Sequence, residues 1–170
     1  MINTKYLVSL IALFTCCLGC GGGGGGGGGA EGAAEVSIKA EPREFDVGDR
    51  TKVTIEMASV HPDGILLKVK FPNGLRYVKS SAFLEVDGDS VDVTPRDNVA
   101  VSPDNYLVFA FPYSTFRDED YGRLTLELTG TAAVTNGNVA IDPDVNYALS
   151  FSGSDPKFQE EAEIEVTVID

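Results

Sequence analysis

The chain is 170 residues long, 43% hydrophobic and 23% charged, with 26 acidic against 13 basic side chains and a formal net charge of −13. That length suits one domain with appendages. The charge argues against nucleic acid as a partner, because a phosphate backbone needs a lysine and arginine footprint. A single histidine, His61, and no tryptophan thin out the catalytic chemistry, and the three cysteines all fall at 16, 17 and 20, so the rest of the chain has no disulfide or thiolate chemistry.

Residues 1–19 read as a signal peptide. Lys5 supplies a positive start, and Tyr6 to Leu18 is an apolar stretch broken only by Ser9 and Thr15. It is shorter than the roughly 20 residues that a spanning helix takes and suits the apolar centre of a secretory signal. Cys17-Leu18-Gly19-Cys20 resembles the lipobox of bacterial lipoproteins, where a small residue precedes the modified cysteine. The resemblance implies cleavage before Cys20, a diacylglycerol thioether on its sulfur and acylation of the new amine. Cys16, preceded by Leu13-Phe14-Thr15, fits that pattern less well. A lipidated Cys20 would hold the protein on a lipid bilayer without a transmembrane helix, and two or more acyl chains anchor stably where one holds marginally. Gly21 in place of an aspartate after the cysteine leans, on the same resemblance, towards the outer membrane or cell surface.

Residues 20–34 follow as a linker. Gly21 to Gly29 is an unbroken glycine run, continued by Ala30-Glu31-Gly32-Ala33-Ala34. With no side chains to bury and maximal backbone freedom, it is expected to be disordered. As a flexible coil it averages about 20 Å end to end and reaches roughly 50 Å when stretched. A phosphate-cradling glycine loop needs a following Lys-Ser/Thr and a strand–helix frame, and neither is present.

From Glu35 to the C-terminus the pattern is strand after strand. Val36, Ile38 and Ala40 alternate with polar residues, as do Val53, Ile55 and Met57; Ile65, Leu67, Val69 and Phe71; Leu124, Leu126 and Leu128; Val145, Tyr147, Leu149 and Phe151; and Ile164, Val166 and Val168. Such alternation marks a half-buried antiparallel strand. Tyr106 to Phe111 is apolar throughout, which suits a strand covered on both faces. Weaker strand signals lie at 76–78, 82–86, 91–93, 99–101 and 139–141. Turn-formers separate the runs, among them His61-Pro62-Asp63-Gly64, Asp87-Gly88-Asp89 and Asn136-Gly137-Asn138. Asn136-Gly137 is the strongest two-residue hairpin signal of the set. No window carries a helical stripe. The expected fold is therefore all-β, an antiparallel β-sandwich of immunoglobulin-like (Ig-like) type over residues 35–170.

Two segments carry a resemblance. Phe45-Asp46-Val47-Gly48-Asp49 with Val53-Thr54-Ile55 looks like the opening of Ig-like bacterial surface domains, and Phe71-Pro72-Asn73-Gly74-Leu75-Arg76-Tyr77-Val78 is similar to a segment of the domain of unknown function eleven. The match covers about residues 42–86. It implies an Ig-like sandwich on a cell-surface protein, and no catalytic residues.

Two constellations stand out as candidate sites. Asp142, Asp144 and Asn146 space three oxygen side chains as the first half of a calcium loop does. The second half is missing, since Tyr147 and Gly153 stand where a glycine and a bidentate glutamate belong. Ca2+ would need oxygens pooled from Asp118-Glu119-Asp120 or Asp87-Gly88-Asp89, and the plainer reading is turns and solvated surface with no cofactor. Tyr113, Phe116 and Tyr121 flank an acidic stretch and are the candidate exposed contacts for a protein or glycan. His61, in a turn before Pro62, has no second metal ligand beside it and reads as an ordinary loop residue. No nucleophile motif appears. The expectation is a non-catalytic, membrane-anchored surface module with a structural, adhesive or protein-binding role. The alternative is an accessory module for calcium or carbohydrate.

Overall fold

The computed structural model describes residues 32–117, 119–145, 147–149, 151–152 and 157–170. The signal peptide, Cys20, the glycine run, Asp118 and Asn146 lie outside the described residues. Twelve strands follow in chain order: β1 (Glu35–Glu41), β2 (Glu44–Asp46), β3 (Arg50–Ala58), β4 (Ile65–Pro72), β5 (Leu75–Tyr77), β6 (Phe83–Val86), β7 (Asp89–Asp92), β8 (Asp97–Val101), β9 (Asp104–Phe111), β10 (Gly122–Gly130), β11 (Val134–Val145) and β12 (Ala162–Ile169). A 3-10 turn, Tyr113–Phe116, joins β9 to β10. Among the described residues no helix is long and apolar enough to cross a membrane.

The strands form two sheets. One runs β1-β3-β10-β6-β7, with β5 also paired to β10, and the other runs β2-β12-β11-β4-β9-β8. Every pairing is antiparallel except that of β2 with β12. The period-two residues decide which face is which. Val53, Ile55 and Met57 of β3 and Leu124, Leu126 and Leu128 of β10 meet Ile65, Leu67, Val69 and Phe71 of β4, Leu107 and Phe109 of β9, and Val166 of β12 in one buried core. Each such side chain contributes about 1.5–3 kcal/mol on burial, which a domain without disulfides depends on. The core also takes in Ala33, fully buried two residues ahead of β1, with its N–H on the Pro143 carbonyl and its own carbonyl accepting from His61.

Two expectations change. Asn136-Gly137 is not a hairpin tip; it lies inside β11, where the register with β12 shifts between Val134 and Gly137. Asn136 has φ 49°, so the pair uses its turn-forming geometry to make a bulge. A Cβ on Gly137 would stand 2.4 Å from Val134 Cγ1 and 2.8 Å from Pro72 Cγ, which is why the bulge needs glycine there. The two-residue hairpin is instead Asp87-Gly88, which links β6 to β7 with both residues at positive φ. Of the alternation from Val145 to Phe151, the described residues beyond Val145 form no strand: β11 ends at Val145 opposite Ile65, the first residue of β4. β2, three residues long, carries no alternation long enough to see.

Candidate functional site

The outer face of the β11–β4–β9 sheet carries a second buried layer. Asp142 pairs with Lys68, and Lys70 with Tyr106, across neighbouring strands. Described residues of the connection between β11 and β12 cover them. Phe151 and Phe158 pack on Tyr106 with centroids 5.7 and 5.9 Å away, and Lys70 Nζ lies 4.7 Å from the Phe158 ring centre. Beneath this cover the Lys68 ammonium sits 2.5 Å from Asp142 Oδ2 and 2.6 Å from Asp144 Oδ2, its side chain 3% exposed. It also donates to the Lys157 carbonyl, while the Gln159 N–H donates to Asp142 at 2.7 Å. Burial raises the Asp142 carboxyl above its ordinary value of 3.8, opposed by the hydrogen bonds from Lys68 and Gln159. A buried ammonium between two carboxylates is a closed ion cluster that staples the covering segment to the sheet.

The structure therefore brings Asp142 and Asp144 together, around Lys68. Asn146, the third oxygen of that pattern, lies outside the described residues. Among the described residues no three His, Cys, Asp or Glu side chains converge as a metal site would require. A cavity of about 490 Å³ adjoins the cluster, lined by Lys68, Asp144 and Lys157 with Leu66, Leu149 and Phe151.

The aromatic trio divides. Phe116, expected as an exposed contact, is fully buried. The 3-10 turn rotates its ring inward, edge-on to Phe111 at 6.2 Å, and Gly122 makes room, since a Cβ there would lie 2.8 Å from Phe116 Cε1. Tyr113 packs partly buried against the core. Tyr121 is exposed and lines a cavity of about 240 Å³ with Val36, Glu56 and Ala58. It stands beside Arg123, whose guanidinium is pushed up first by Tyr121 and then by Glu85. His61 holds its own turn, its Nδ1 accepting from the Asp63 N–H at 3.1 Å.

A basic groove on the other sheet has no counterpart in the sequence reading. Arg50, Lys52, Lys79 and Phe83 line a depression of about 400 Å³. It adjoins a second of about 470 Å³ that shares Arg50 and Lys79 and adds Arg76 and Thr129. Arg50 is paired with Glu127 at 2.8 Å, the one carboxylate lining either depression. These cations are scattered along the sequence, and only the placement of β10 between β3 and β5 gathers them: Thr129 stands opposite Arg50 on one side and Arg76 on the other.

The sequence matches no protein-family model and no curated protein, so the resemblance over residues 42–86 rests on the motifs themselves. Solved structures do share the fold. The N-terminal domain of the Streptococcus gordonii adhesin Sgo0707 aligns over 79% of this chain at 11% identity, with a TM-score of 0.53. The T6 backbone pilin of serotype M6 Streptococcus pyogenes aligns over 79% at 9% identity, with a TM-score of 0.52. The alignments cover 32% and 35% of those two chains, so this protein spans about a third of their length. At such identities the likeness is one of fold, and the chain carries an Ig-like β-sandwich of the kind built into that adhesin and that pilin.

Proposed function

We propose that the protein is a lipid-anchored bacterial surface protein whose β-sandwich is non-catalytic and serves a structural, adhesive or protein-binding role. The observation that carries this reading is the order of three features. A lipobox-like Cys20 is followed at once by nine glycines, and among the described residues the chain is first buried at Ala33. A bilayer anchor, a leash and a sandwich then follow without a break. The fold shared with an adhesin and a pilin supports the display role.

Palmitate labelling of cells producing the wild type and Cys20→Ala, followed by separation of inner and outer membranes, tests the anchor. The wild type is expected to carry label and fractionate with a membrane, while Cys20→Ala carries none and is released. Label or membrane retention that persists in Cys20→Ala would overturn the assignment.

A further inference from the structure

The β1–β3 register places Glu35, the start of β1, at one end of the sandwich and the basic groove towards the other. Glu35, where the leash joins, stands opposite Ala58 at one end of β3, and Arg50 is at its far end. Eight residues of strand separate them, roughly 25 Å. Elsewhere on the surface Arg96 is answered by Asp97, Arg117 by Asp89, Arg123 by Glu56 and Glu85, and Lys70 by Glu160, while Lys39, Arg43 and Lys157 are exposed with no ion pair among the described residues and line neither depression of the groove. Lys52, Arg76 and Lys79 are exposed, and none has a carboxylate within salt-bridge distance among the described residues, although Glu41 and Glu127 stand across the two ladders from Lys52. In a chain with twice as many acidic as basic side chains, three unanswered cations around one groove are a local reversal of the field.

From this groove we infer the partner's chemistry: it binds an extended, acidic stretch of a partner polypeptide. Arg50 and Lys52 are two residues apart on one face of β3, about 7 Å along the strand. That is also the spacing between alternate side chains of an extended peptide, so carboxylates at alternate positions meet them in register. Arg76 and Lys79 supply a second row across Thr129, and arginine grips a carboxylate in bidentate fashion. Phe83, 41% exposed at the groove's edge, offers an apolar contact. The chain's net negative charge disfavours acidic chains over the rest of the surface on average. The inference rests on the reading of the sandwich as a protein-binding module and is independent of the anchor, so this titration and the labelling of Cys20 fail separately.

The test uses the full chain in a nonionic detergent and a fluorescein-labelled oligo-glutamate of about ten residues, with anisotropy read at low salt. Saturable binding is expected, weakened by added salt. The triple variant Lys52→Gln, Arg76→Gln, Lys79→Gln should bind about tenfold more weakly. A control triple with the same change in net charge, Arg43→Gln, Arg96→Gln, Arg117→Gln, should bind as the wild type does. Lys79→Gln alone, at an exposed residue outside the strands, should already weaken binding about threefold, which keeps the test open should the triple fail to fold. No saturable binding, equal losses in both triples, or groove-dependent binding of heparin in preference to the peptide would overturn the inference.

Discussion

Asp142 sits on a sheet face where a carboxylate must be answered by charge or lose its own. Lys68 answers it, yet burial still holds the folded carboxyl above its ordinary 3.8. The folded state therefore binds that proton more tightly than the unfolded chain does, and the sign follows. This residue's contribution is most favourable below 3.8 and declines as pH rises through the raised value. Asp142→Asn removes that dependence, so its urea midpoint should fall less steeply than the wild type's as pH rises from 4 through the weakly acidic range, a window set by that raised carboxyl. Parallel curves would show that the carboxyl is not perturbed. The carboxylate itself was visible in the sequence as part of an Asp-x-Asp-x-Asn run, but its partner was not. Lys68 is 74 residues away, and only the antiparallel register of β4 and β11 sets the two side by side. Phe116 teaches the same lesson in reverse: its type and neighbours suggest a loop contact, while the space left by Gly122 turns it inward.

At the scale of elements, period two carried most of the fold. Strands with one wet face, such as β3, β10 and β12, declare themselves because water selects every second residue. Where both faces are covered the signal changes, and β9 reads as a continuous apolar run because Phe151 and Phe158 close its outer side. The failures have local causes. Asn-Gly prefers positive φ wherever a structure calls for it, and a bulge uses that preference as readily as a hairpin does. Beyond Val145 the described residues have no ladder partner, so the alternation there is not matched by a strand. The covering segment's attachment through Lys68 gives a direct prediction. Lys68→Met leaves Asp142 buried without its partner and should cost about 3 kcal/mol, read as a lower midpoint in urea unfolding. Adding Asp142→Leu should restore most of that loss, because an apolar pair of similar volume replaces the ions. A single variant as stable as the wild type would mean that the cluster does not fasten the segment.

At the scale of the whole molecule, the sequence reading located the sandwich but not the groove proposed above as a binding face. The cations of the groove stand at 50, 52, 76 and 79 with no basic run between them, so composition registers only an acidic protein. The sandwich converts that scatter into a patch by placing β5 and β3 on either side of β10. The account's central claim lies at the other end, where a cysteine, a glycine run and a fold meet. Intact-mass measurement of the mature protein extracted from membranes tests it most directly. The account predicts a chain that begins at Cys20 and carries the added mass of a diacylglycerol and an amide-linked acyl group. A chain that begins at another residue, or one whose Cys20 sulfur is bare, would contradict it.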